Sequence, residues 1–217
     1  MKYAVLGTGM VGHTLATKLI DLGHDVRMGA RTAQNEKAAA WAAAQGDRAG
    51  HGAYGAVADW ADRVIVAING AHVAALGAAI PGTAVAGKTV IDVTNPLDFS
   101  HGMPPVLIPS LSNTTSAGEA LQAALPGARV VKTLNTMNHA LMVDPSRVQG
   151  QHDVFLCGDD ADAKDDVRDL LAAFGWHAPI DLGPLAAARG TEGMMPFWLR
   201  LWAVKGDATF NYAIMRG

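Results

Sequence analysis

Apolar and polar residues alternate along the first part of the chain between strand-like and helix-like patterns. Residues 2–6 (KYAVL) form a short apolar run that predicts a strand. Apolar side chains then recur every three or four residues from Val11 to Leu22, which predicts a helix. Residues 25–29 predict a second strand, and residues 32–44 predict a second helix with Thr32 as its N-cap. The chain therefore begins with a predicted βαβ unit.

The alternation continues to residue 180. Further strands are predicted at 49–52, 63–68, 89–93, 128–132 and 153–157. Further helices are predicted at 53–60, 72–80, 117–125 and 161–174. Strands that alternate with helices predict an α/β, Rossmann-type, doubly wound and mostly parallel sheet. We expect residues 1–182 to form a Rossmann-like domain and residues 183–217 to form a small C-terminal helical cap on the same compact unit.

Two segments depart from this pattern. Residues 95–116 contain four prolines and a polar SNTTS run, and a connection of this length favours a functional loop. Residues 191–204 (TEGMMPFWLRLWAV) concentrate Met, Trp and Phe, which is typical of a core or of a contact surface between subunits. We therefore expect this apolar segment to contribute to a homodimer contact.

Composition narrows the function classes. The net charge is -3 and no Lys/Arg run occurs, so we expect neither a nucleic-acid partner nor an anionic membrane surface. We see no secretion signal and no apolar run long enough to span a membrane. The single cysteine, Cys157, excludes an intramolecular disulfide. We therefore expect a cytoplasmic protein.

A glycine motif follows the first predicted strand. Gly7, Gly9 and Gly12 give G-x-G-x-x-G at the start of the first predicted helix, the context in which this pattern indicates dinucleotide binding. The first glycine permits a tight turn, the second lets the backbone approach a pyrophosphate, and the third lets helix and strand pack closely. The alternative is that these glycines only punctuate the turn.

Arg31 stands nineteen residues after Gly12, where an NAD site would carry an acid for the ribose 2′-hydroxyl. A guanidinium instead offers forked donors to a 2′-phosphate, so the sequence predicts that the domain of residues 1–182 binds NADP(H). The hydroxyl groups of Thr8 and Thr32 are candidate additional donors. The alternative is a solvated arginine at a strand end.

Three more loops follow predicted strands, where open α/β sheets bind ligands. The candidate cofactor contacts in these loops are Ala67, Ile68 and Asn69, then Asn95 and Pro96, and then Asn135. Because Asn and Pro are also turn formers, each loop alone is almost equally consistent with ordinary turn chemistry.

No catalytic side chain stands out. The eight histidines lack metal-ligand spacing, so no metal site is predicted. Lys132 lies three residues before Asn135, as in hydroxyacid dehydrogenases, but the favoured interpretation is that Lys132 only ends a strand.

The chain as a whole resembles the NADPH-dependent F420 reductase family. The resemblance rests on LGTGMVGHTLATKLIDLGHDVRMGAR, VIDVTNPL, SAGEALQAALPGARVVKTLNT, CGDDADAK and TEGMMPFWLRLW. The chain is also similar to the cytoplasmic domain of six-transmembrane metalloreductases. The resemblance adds Met10 and Val11 to the expected cofactor contacts. It implies direct hydride transfer between the nicotinamide and a deazaflavin (coenzyme F420) or flavin-like co-substrate, without a side-chain acid or base.

The sequence departs from the family pattern near Arg31. Family members often carry Ser where this chain has Ala30, and extra residues precede Lys37, which weakens Lys37 as a phosphate ligand. Two other functions stay open. One is a reductase of small imines or 2-hydroxy acids whose active site is completed by dimerisation, and the other is a non-catalytic NADP(H)-binding redox sensor.

Overall fold

The computed structural model describes residues 1–215, which form one eight-stranded sheet and one two-stranded hairpin. The sheet strands are β1 Lys2–Leu6, β2 Asp25–Ala30, β3 Ala49–Ala53, β4 Arg63–Val66, β5 Thr89–Asp92, β8 Arg129–Thr133, β9 Phe155–Gly158 and β10 Ile180–Asp181. The hairpin strands are β6 Leu97–Asp98 and β7 Val106–Leu107.

The spatial order of the sheet is β10-β9-β8-β5-β4-β1-β2-β3. The six strands from β3 to β8 in this order are parallel, which confirms the predicted Rossmann-like fold. β9 runs antiparallel to β8, with Thr133 opposite Leu156. The connection from β8 to β9 contains only short helical turns and no crossover helix, so the chain re-enters the sheet at the edge where it left.

Helices cover both faces of the sheet. They are α1 Met10–Asp21, α2 Glu36–Gln45, α3 Tyr54–Trp60, α4 Leu76–Ala79, α5 Gly82–Val85, α6 Ala117–Ala124, α7 His139–Met142, α8 Ala161–Phe174, α9 Ala188–Gly193 and α10 Met195–Lys205. Four 3₁₀ segments lie at Gly70–Ala75, Pro109–Leu111, Pro145–Arg147 and Leu185–Ala187. The helix predicted at 72–80 is in fact a 3₁₀ segment followed by the short α4.

The core has two layers, one on each face of the sheet. Leu15 of α1, Trp41 of α2 and Leu171 of α8 pack on one face. Val57 of α3 and Leu121 of α6 pack on the other face. The central strands are buried on both sides, which explains their nearly unbroken apolar sequences.

The segment 95–116 folds back on the C-terminal helix. Leu97 and Leu107 of the hairpin pack against Trp198 and Leu199 of α10. Phe197 and Val204 on the same helix are exposed at 60% and 86%. The C-terminal apolar segment is thus partly core and partly surface. The homodimer contact and the division at residue 182 stay predictions, and Arg216 and Gly217 lie outside the described residues. None of the helices in residues 1–215 is long and apolar enough to span a bilayer.

The predicted N-cap of α2 is wrong. Residues 31–34 form bends and a turn, and the helix begins at Glu36. The N-cap is Asn35, whose Oδ1 accepts a hydrogen bond of 3.0 Å from the amide of Ala38. Thr32 lies three residues too early to satisfy the free amides of the first turn.

We expect Asn35→Ala to lower the free energy of unfolding by about 1 kcal/mol, because the amide of Ala38 would lose its acceptor. Thr32→Ala is the matched control and should change it by less than about 0.5 kcal/mol. Urea unfolding followed by circular dichroism measures both variants. A larger effect at Thr32 would contradict the assignment of the cap.

Candidate cofactor-binding site

The glycine turn between β1 and α1 is held by two close backbone approaches. Gly7 has φ +130°, and a Cβ at this position would lie 2.3 Å from the Ala67 carbonyl oxygen after β4. A Cβ on Gly12 would lie 2.2 Å from the Gly7 carbonyl oxygen. Both distances exclude a side chain, so Gly7 and Gly12 are required by the packing of the protein itself.

Gly9 is different from the other two glycines. It is the N-cap of α1 with φ -83°, and no heavy atom lies within 4 Å of the position of an added Cβ. Neither the backbone nor its neighbours require glycine there. No side chain of residues 1–215 caps this helix end, so its first amide groups are available to an anion. The open space at Gly9 and the amide groups at the start of α1 would fit a pyrophosphate.

A cleft of about 630 Å³ opens beside this turn. It brings together seven of the predicted site residues: Gly7, Thr8, Gly9, Arg31, Ala67, Ile68 and Asn69. It also contains residues that sequence reasoning missed: Ala30, Asn35, Tyr54, His72, Ala75, Leu76 and Ala79. The cleft combines a polar mouth with an apolar wall from α4, which suits a nucleoside.

Arg31 lies at the carboxyl end of β2, with its side chain exposed at the cleft. Among residues 1–215 no carboxylate forms an ion pair with it. Burial raises the pKa of the neighbouring Tyr54 phenol, and the charge of Arg31 opposes that rise. The site therefore carries an uncompensated positive charge next to a neutral hydroxyl.

Asn69 has a structural partner within its own turn. Its Oδ1 accepts a hydrogen bond of 3.0 Å from the amide of Ala71. The side chain of Asn69 thus performs ordinary turn chemistry. The neighbouring Ala67 and Ile68 also line the cleft.

Asn95 and Asn135 meet at the carboxyl ends of β5 and β8. Asn95 Nδ2 donates to the Asn135 carbonyl oxygen at 2.8 Å, and Asn135 Nδ2 donates to Asn95 Oδ1 at 2.9 Å. The amide of Gly70 donates to the Asn95 carbonyl oxygen at 3.1 Å, which joins this pair to the loop after β4. These loops therefore form one connected layer beside the cleft.

Several predicted contacts do not line the cleft. Met10 is 73% exposed at the start of α1, and Val11 packs against the core layer of that helix. Thr32 is exposed outside the cleft, and Pro96 directly follows Asn95. Pro96, Asn95 and Asn135 lie along the sheet edge beyond the cleft.

Lys132 does not face a substrate. Its side chain has 0% exposure, and its Nζ binds Asp92 Oδ2 at 3.0 Å, Glu192 Oε1 at 2.7 Å and the Thr94 carbonyl oxygen at 2.5 Å. Burial alone would lower the pKa of Lys132, but Asp92 and Glu192 together raise it, so the ammonium stays charged. Sequence reasoning missed both carboxylates, although the Asp in the apolar run TVIDV was a visible signal.

Comparison with known proteins identifies the family. Residues 2–96 match the family model described as NADP oxidoreductase, coenzyme F420-dependent. The F420-dependent NADP reductase of Methanothermobacter marburgensis is 31% identical over 93% of this chain and 92% of its own length. The chain belongs to the F420-dependent NADP reductase family. The membership confirms the resemblance predicted from the sequence motifs, including those around the glycine turn and β8.

Two further relatives extend this comparison. A crystal structure from Arthrobacter sp. FB24, of a protein with the provisional name F420-dependent NADP reductase, is 46% identical over 100% of both chains, with a TM-score of 0.91. The rat metalloreductase STEAP3 is 29% identical over 91% of this chain, which spans only 38% of that protein. Both relatives agree with the predicted resemblance.

We expect Gly9→Ala to leave the free energy of unfolding within about 0.5 kcal/mol of the wild type, because an added methyl group meets no protein atom. The same variant should weaken NADPH binding, because the methyl group would occupy the space of the pyrophosphate. Gly82→Ala, which also adds a methyl group in open space, is the matched control. Thermal unfolding and NADPH titration measure the two effects, and unchanged NADPH affinity in Gly9→Ala would contradict this role.

Proposed function

We propose that this family member binds NADP(H) along the carboxyl edge of the sheet and exchanges a hydride with a deazaflavin or flavin-like co-substrate. The observation that carries the proposal is the cleft itself. Within residues 1–215, Gly9 leaves open space at a helix end that has no side-chain cap, and Arg31, which has no carboxylate partner, lines the same cleft. These two features match a pyrophosphate and a 2′-phosphate respectively.

The nicotinamide half would extend from the glycine turn towards Asn95 and Asn135. Hydrogen bonds join the loops after β4, β5 and β8. This connected layer supports the direction, because it continues the edge on which the cleft lies. Bound NADPH would supply the hydride. The protein would then hold the nicotinamide and exclude water, as cofactor enzymes do.

Direct hydride transfer needs no side-chain acid, and the surroundings of the asparagine pair are consistent with such a transfer. Within residues 1–215, no acidic or basic side chain hydrogen-bonds to the side chain of Asn95 or Asn135. Lys132 is the nearest cation in sequence, and its three protons are already bound. Reduction of a carbonyl or imine would require a proton donor at this place, so the arrangement favours a conjugated acceptor.

The coenzyme preference rests on Arg31. We expect Arg31→Ala to lose about 1.5–3 kcal/mol of NADPH binding, because a charge-assisted hydrogen bond to the 2′-phosphate disappears. NADH binding should change little. Arg48→Ala is the matched control, because Arg48 is exposed before β3 at the opposite edge of the sheet. Fluorescence titration measures the affinities of both variants for NADPH and NADH. Equal losses for the two coenzymes in Arg31→Ala would mean that Arg31 is only a solvated arginine at a strand end.

The acceptor can be tested with NADPH deuterated on the transferred position of the nicotinamide. We expect the label to appear on carbon in reduced F420, because a deazaflavin accepts the hydride on carbon. FMN and FAD should be assayed in parallel by the loss of NADPH absorbance. NADPH binding without turnover of any of these acceptors would favour the redox sensor. Turnover only of small imines or 2-keto acids would favour the alternative reductase.

A further inference from the structure

Lys132, Asp92 and Glu192 form a buried charge cluster beneath the asparagine pair. Lys132 and Asp92 are opposite each other in the register of β8 and β5. They follow Val130 and Val90 at two-residue spacing, so they lie on the sheet face covered by α6. The side-chain exposures are 0% for Lys132, 0% for Asp92 and 3% for Glu192.

An apolar side chain would be the ordinary choice at both strand positions. Buried ion pairs lose much of their attraction to desolvation, and apolar replacements of similar volume are often neutral or stabilising. Burial, together with the nearby Asp92 carboxylate, also raises the pKa of Glu192 despite the adjacent Lys132. Fold stability alone therefore does not explain two acids and a lysine at this place.

The cluster holds the backbone that leads into the asparagine pair. Asp92 Oδ1 accepts the amide of Thr94 at 2.8 Å, and Lys132 Nζ donates to the carbonyl oxygen of the same residue at 2.5 Å. Both backbone polar groups of Thr94 are thus fixed by buried charges. The next residue is Asn95, whose side chain binds the loop of Asn135.

Glu192 extends the cluster to the C-terminal segment. Its Oε2 accepts the amide of Ala117 at 2.8 Å, and its Oε1 accepts the amide of Gly118 at 3.1 Å. These are the first amides of α6, and Glu192 itself lies on α9. The same carboxylate binds Lys132 Nζ, so α6, α9 and the two strand ends share one set of hydrogen bonds.

We propose that the buried cluster of Lys132, Asp92 and Glu192 positions Asn95 and Asn135 for the nicotinamide half of the cofactor, with Lys132 as its central positioning residue. The proposal rests on the proposed function, because it assumes that NADP(H) lies along this edge. Within residues 1–215, the cluster forms no hydrogen bond or ion pair with the glycine turn or with Arg31, so it should affect the two halves of the cofactor differently.

The test compares NADPH with adenosine 2′,5′-bisphosphate, which contains the adenosine and 2′-phosphate groups but no nicotinamide. Lys132→Met removes the ammonium and frees the carbonyl oxygen of Thr94. We expect it to weaken NADPH binding by about tenfold or more. The affinity for adenosine 2′,5′-bisphosphate should change by less than about twofold. Turnover should fall by about 100-fold, the loss typical of a reacting group displaced by about 1 Å.

Lys88→Met is the matched control. Lys88 is a partly buried lysine at the opposite end of β5, and its Nζ donates to the carbonyl oxygens of Ala58 and Asp59. This variant should leave the affinities for both ligands unchanged. Circular dichroism and thermal unfolding establish that each variant is folded before titration.

Glu192→Gln keeps the inference testable if Lys132→Met does not fold. It preserves the size of the side chain and leaves Lys132 paired with Asp92. We expect about a threefold weaker NADPH affinity with unchanged binding of adenosine 2′,5′-bisphosphate. Equal losses for both ligands, or no loss for either, would overturn the inference. A wild-type protein that binds neither ligand would instead overturn the proposed function.

Discussion

The candidate site depends on the close approach of three backbone segments with no side chains between them. Gly7 ends β1 against the carbonyl group of Ala67 after β4, and Gly12 of α1 lies against the carbonyl group of Gly7. These two contacts fix the direction in which α1 leaves the sheet. They also fix the direction in which the free amides of the first turn of α1 point. An anion site at a helix end requires such a fixed direction. The cleft and its loops are arranged around this point.

Charge is used differently at the two ends of the sheet edge. At the proposed adenosine end, Arg31 is exposed and has no carboxylate partner in the described residues, so its attraction is available to a ligand. At the other end, the ammonium group of Lys132 is fully buried and bound by two carboxylates and a carbonyl group. An exposed charge can select a phosphate, whereas a saturated buried charge can only hold its neighbours in place.

The sequence predicted the parallel sheet well because its signals are local. The strands are short apolar runs, and the G-x-G-x-x-G turn needs only residues within one βα unit. The positions of Arg31, Ala67 and Ile68 beside the cleft could be predicted for the same reason, since each follows a strand that could be recognised alone. The N-cap at Thr32 was wrong because Asn35 offered a competing cap three residues later, and propensity does not distinguish them.

Contacts between distant segments could not be predicted in this way. Tyr54 and His72 line the cleft from elements that only the folded sheet places beside Arg31. Glu192 and Lys132 form an ion pair although they lie 60 positions apart in the sequence, and no local pattern near either residue predicts this contact. The reversed direction of β9 depends on the whole connection from β8 rather than on the strand itself. Lys132 shows the consequence for function: its spacing to Asn135 resembled a catalytic pair, but its partners bind all three of its protons. A lysine held by these partners is a positioning group rather than a free proton donor, which agrees with the proposed hydride transfer without a side-chain acid.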